Sequence, residues 1–68
     1  MDPRQLQSYE ESIRYCQQLI SMLEREKDTI RSCFKGDPLK AYLEATDEAI
    51  RRVKSVRNSL QQLQAMQQ

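Results

Sequence analysis

The sequence predicts an all-α fold: two long antiparallel helices forming a coiled-coil-like helical hairpin with its turn at about residues 35–38. Three observations carry this. Apolar residues recur at steps of three and four through both halves, the spacing that lays one stripe along a helix. Each half opens with Asp-Pro, at Asp2-Pro3 and Asp37-Pro38, and the sole glycine, Gly36, sits at the junction. The 68 residues then make one domain, 1–68, with helix one over about 3–34 and helix two over about 38–65.

Helix one is specified at both ends. Asp2 suits the N-cap, Pro3 the first helical position, and Gln5 stands where a capping-box partner reaches back. The apolar seam runs through Leu6, Tyr9, Ile13, Cys16, Ile20, Leu23, Ile30 and Phe34, broken only by Lys27. Gly36 supplies the left-handed residue that ends the helix, and Lys35 is a suitable cation for its negative end.

Helix two is expected to be capped by Asp37 and started by Pro38. Its seam reads Leu39, Tyr42, Thr46, Ala49, Val53, Val56, Leu60 and Leu63, then frays in Gln64–Gln68. Asp37, Glu44, Asp47 and Glu48 crowd its early turns, where carboxylates favour the positive end of the helix dipole. Closing the chain at Gly36 pairs positions whose numbers sum to about 73, as antiparallel helices joined by a short turn require. Phe34 then meets Leu39, Ile20 meets Val53, Ile13 meets Leu60, and Lys27 falls opposite Thr46. A single polar layer of this kind fixes register, with the lysine stem packed and its ammonium reaching solvent.

Composition disfavours an enzyme. The chain has no His and no Gly-rich phosphate loop, and its adjacent carboxylates Glu10-Glu11 and Asp47-Glu48 face different directions on a helix. Cys16 and Cys33, seventeen positions apart on one helix, are separated by roughly 25 Å and do not bridge. Without His or Cys-x-x-Cys a metal site lacks ligands, so no cofactor and no metal are expected. Cys16 reads as a small buried hydrophobe and Cys33 as an exposed thiol near the turn. The longest apolar run is far short of a membrane span, and Met1-Asp2-Pro3-Arg4 lacks the hydrophobic region of a signal peptide. A cytoplasmic location is expected.

The seam leaves apolar side chains unused. Tyr15, Leu19 and Met22 form a second ridge on helix one, while Leu43, Ile50 and Met66 widen helix two. Two helices cannot cover both ridges, so a further surface is expected: a second copy or another protein. The partner-facing set reads as Tyr15, Leu19, Met22, Leu43, Ile50, Val53 and Leu60. On this assignment Leu23→Asp unfolds the hairpin, whereas Ile50→Asp removes binding and spares helicity.

The basic cluster Arg51, Arg52, Lys54 and Arg57 is the one hint of nucleic acid. Residues 35–68 carry six Lys and Arg against four Asp and Glu, a net +2, while residues 1–34 carry five against six, a net −1. A solvated helix face is the stronger reading, because no zinc finger, helix-turn-helix spacing or set of stacking aromatics accompanies it.

A long first helix, then Gly36-Asp37-Pro38, Tyr42 and Glu48-Ala49-Ile50 leading into an apolar heptad, resembles the small hairpin co-chaperones of bacterial type III secretion needle subunits, the YscE/SsaE-like proteins. The resemblance covers most of the chain in architecture, with the shared residues around the turn and early helix two. It implies a cytoplasmic, non-enzymatic role in protein transport and virulence, in which the hairpin joins a helical-repeat chaperone to keep the needle subunit soluble before export. The basic 51–57 segment departs from that pattern. Two alternatives stay open: a homodimeric four-helix-bundle scaffold or regulator, with residues 51–57 as a nucleic-acid contact, and a fragment of a longer coiled coil.

Overall fold

A computed structural model describes residues 3–67, with side chains from Ser8 to Gln67. Among these residues the chain forms two helices of 31 residues each, α1 (Pro3–Cys33) and α2 (Gly36–Met66). They lie antiparallel as a rod whose Cα trace measures 52 × 14 × 10 Å. The expected Asp2 cap, the Gln5 capping partner and the Leu6 seam contact lie outside the described residues or side chains.

The reversal takes two residues outside the helices. Phe34 still donates its N–H to the Ile30 carbonyl at 2.9 Å, Lys35 is extended at φ −138°, ψ 158°, and Gly36 has φ 69°. That left-handed value disfavours any residue with a Cβ, which is why the sole glycine stands here. Helix two opens at Gly36, two residues earlier than expected. Asp37 therefore lies within the first turn rather than capping from outside, and Lys35 at the cap position makes no side-chain cap bond. Pro38 is tolerated as the third residue because first-turn N–H groups have no intrahelical acceptor. At the far end α2 runs to Met66, one residue past the expected bound of about 65. Gln67 donates its backbone N–H to the Gln64 carbonyl at 3.2 Å and its side-chain amide to the Tyr9 hydroxyl at 3.4 Å, joining the open ends of the helices.

Cross-helix contacts fix the register. Lys27 pairs with Asp47, Phe34 stacks on Tyr42 and Gln67 meets Tyr9, so paired positions sum to 74–76. The expected register holds to within a turn, but its polar layer has a different partner. Lys27 reaches Asp47 at 2.7 Å rather than standing opposite Thr46 in solvent. Thr46 turns its hydroxyl back to the Tyr42 carbonyl at 2.8 Å, which leaves the neighbouring carboxylate to take the ammonium. The Phe34 and Tyr42 rings lie 4.5 Å apart, close behind the turn.

The seam of α1 is the expected one from Tyr9 onward: Ile13, Cys16 and Ile20 are buried, and Leu23, Lys27 and Ile30 are half-buried. The seam of α2 is not. Two stripes at three-four spacing share Leu39, Thr46, Val53 and Leu60. One is completed by Tyr42, Ala49, Val56 and Leu63, the other by Leu43, Ile50, Arg57 and Gln64. The second turns inward. Ile50 is 6% exposed, and Leu43, Arg57 and Gln64 are half-buried, whereas in the first set Ala49 is half-buried and Tyr42, Val56 and Leu63 are exposed. Leu43 and Ile50 supply the bulk facing α1, and Arg57 and Gln64 are long enough to bury their stems and keep their polar ends wet. Ile50 and Leu43 are thus hairpin core, which corrects their placement on a partner-facing surface.

An apolar groove between the helices

Burying Leu43 and Ile50 leaves the more apolar stripe of α2 outside. Successive steps of three rotate a helix position by about 60°, so Ile50 facing α1 has Val53 on one side and Asp47 on the other. Val56 lies a further 60° round and is 53% exposed. The hairpin therefore has two unlike flanks, one apolar through Val53 and Val56 and one charged through Asp47.

On the apolar flank the helices enclose an open groove of about 590 Å³. Helix one lines it with Glu11, Ser12, Tyr15, Cys16 and Leu19, and α2 with Arg52, Val53, Val56 and Leu60. Cys16 is buried at its floor, while Tyr15 stands 62% exposed at its edge. Of the seven residues expected to face a partner, the structure brings Tyr15, Leu19, Val53 and Leu60 together here. Met22 continues the Tyr15–Leu19 stripe towards the turn and is exposed. The spacing of Val56 alone places it in the seam. Its exposure was legible only by recognising that Ile50 outbids Ala49 for the inward position.

The charged flank is organised around Asp47. Lys27 donates a hydrogen bond that holds the Asp47 carboxyl below its ordinary range. The charges of Lys27, Arg51 and Arg31 act in the same direction, and partial burial opposes them. Exposed pairs Arg31–Asp28 at 3.1 Å and Arg52–Glu48 at 2.8 Å are local to one helix each. The basic cluster does not form one surface. Arg51, Lys54 and Arg57 follow steps of three, and Arg57 spends its guanidinium on Asn58 Oδ1 at 3.1 and 3.2 Å. Arg52 is turned about 100° from Arg51 and edges the groove.

Among the described residues no group of three or more His, Cys, Asp or Glu is placed to hold a metal, and no helix is long and apolar enough to cross a membrane. The groove lining offers apolar contact with one acid and one base at its edges, an arrangement suited to docking a helix face. No family model, curated protein or solved structure matches the chain.

Proposed function

We propose that this hairpin is a non-enzymatic protein-binding adaptor whose groove flank docks on a helical partner. The observation that carries the reading is the choice of stripe on α2: Tyr42, Val56 and Leu63 are left exposed beside Tyr15, Leu19 and Met22. A rod whose described residues include four buried apolar ones, Ile13, Cys16, Ile20 and Ile50, gains more by covering this flank than by anything further within itself. The resemblance to type III secretion co-chaperones gives the role a specific form: a cytoplasmic partner of a helical-repeat chaperone that helps keep a needle subunit unpolymerised. Nucleic-acid binding is the weaker reading because Arg52 is turned away from Arg51, Lys54 and Arg57.

The test uses wild-type chain and Val56→Asp as baits in cells of the source organism, followed by reconstitution with the purified captured protein. The wild type forms a defined complex whose melting temperature rises by about 10 °C at saturating partner, the shift that roughly 2–3 kcal/mol of linkage produces in a domain this size. Val56→Asp stays helical and fails to form it. Equal binding by both chains would remove the groove from the reading.

A further inference from the structure

We infer that in the isolated protein the groove flank is covered by a second copy of the chain, related by a two-fold axis parallel to the length of the hairpin. The inference rests on the reading of this flank as a contact surface, and it specifies what occupies the flank when no other protein does. Within one hairpin, residues at the same height have numbers summing to 74–76. The outward stripes obey the same rule: Tyr15 is level with Leu60, Leu19 with Val56, and Met22 with Val53. A two-fold axis along the rod keeps heights unchanged and sets α1 of one copy over α2 of the other. Each of those three pairs then becomes an apolar contact, made twice as an isologous interface requires.

Charge selects this axis over the perpendicular one. Glu26 continues the Tyr15–Leu19–Met22 stripe and is exposed; Arg52, paired along its own helix with Glu48 at 2.8 Å, edges the groove about one turn away in height from the Glu26 of the second copy and shares its guanidinium between the two carboxylates in the dimer. The lengthwise axis brings the two together. A two-fold axis across the rod would also match apolar residues, Tyr15 over Met22 and Leu19 over Leu19, but it sets α1 over α1 and leaves Glu26 without a facing cation, so the charge complementarity is lost. The lengthwise dimer is a four-helix bundle in which every helix runs antiparallel to both neighbours, so the helix dipoles oppose pairwise. The exposed apolar stripe from Tyr42 to Leu63 runs about 32 Å at 1.5 Å per residue, and across the 14 Å width it offers on the order of 450 Å² per copy, about 900 Å² in all, the size of a weak, concentration-dependent interface.

The experiment is a spin-label distance measurement at native Cys33, which is exposed beside the turn while Cys16 is buried, combined with sedimentation equilibrium. The lengthwise dimer puts both turns at one end, giving a label separation of roughly 15–30 Å with helices about 10 Å apart. A separation near 45 Å, the spacing of opposite ends at about 1.5 Å per residue, would overturn the geometry. A monomer at 100 micromolar, on the order of the weakest useful self-association, would overturn the dimer and leave the groove free for another protein, so the adaptor reading would stand. Charge reversal gives an independent check. Arg52→Glu and Glu26→Arg each weaken the dimer by about fivefold, and the two together restore it. Absence of that rescue would also overturn the geometry.

Discussion

Ile50 and Val56 stand less than two turns apart on α2, yet they play opposite parts. Ile50 packs on α1 and Val56 faces outward. Replacing Ile50 by Ala should destabilise the hairpin by roughly 2–4 kcal/mol, most of what a chain this size possesses. Val56→Ala in dilute, uncomplexed protein should change stability by less than about 0.5 kcal/mol. Urea titration followed by circular dichroism separates the two; equal effects would place Val56 in the core. Ile50→Asp is accordingly the unfolding substitution, and the half-buried Leu23 the less sensitive site. At the cross-helix pair, Asp47 has a carboxyl held below its ordinary range, chiefly by the Lys27 hydrogen bond. A carboxylate that binds its proton less readily when folded adds stability above its unfolded pKa and loses it as pH falls through the folded value. Stability should therefore drop below about pH 4, where free aspartate titrates. Asp47→Asn should flatten that acid limb; an unchanged limb would show that the pair is too solvated to matter.

At the scale of elements, the turn depends on one backbone conformation. A Cβ built on Gly36 meets nothing within 4 Å, so any cost of substitution there is backbone strain at φ 69° and not a clash. Gly36→Ala should cost about 1 kcal/mol, and Gly36→Asn less, since asparagine tolerates the left-handed region. Thermal melts of the three chains check the order. Helix one and its seam were readable from sequence because one stripe, Tyr9 through Phe34, keeps the three-four spacing with a single polar break at Lys27, although Tyr15, Leu19 and Met22 of the second ridge directly adjoin Cys16, Ile20 and Leu23. Helix two was readable as a helix but not in its rotation. Leu39, Thr46, Val53 and Leu60 fit two stripes equally, and counting apolar residues favours Ala49 and Val56 over Ile50 and Arg57. What decides is volume against α1, where Ile50 fills space that Ala49 does not, together with the length of the Arg57 and Gln64 stems. The groove was half legible for the same reason: Tyr15, Leu19, Val53 and Leu60 are visible as surplus apolar surface, but Val56 and Arg52 belong to it only once the rotation is known.

For the whole molecule, the flanks divide labour. The Lys27–Asp47 side, with Arg31 and Arg51 near, is solvated and sets register, while the Tyr15–Val56 side is left to be covered. If a second copy covers it, the melting temperature must rise with protein concentration, because association stabilises the folded form by mass action. Scans across a hundredfold range, about 3 kcal/mol of concentration leverage by the same relation, should show that rise in the wild type and not in Val56→Asp. The constant register also orders the contacts by chain separation: Phe34 and Tyr42 bracket the turn, Lys27 and Asp47 lie farther apart, and Tyr9 and Gln67 are separated by 58 positions. Loop-closure entropy grows with that separation. The hairpin is therefore built to close like a zipper from Gly36 outward. Its transition state should hold the turn-proximal contacts, and the Tyr9–Gln67 end should be the last to form and the first to open.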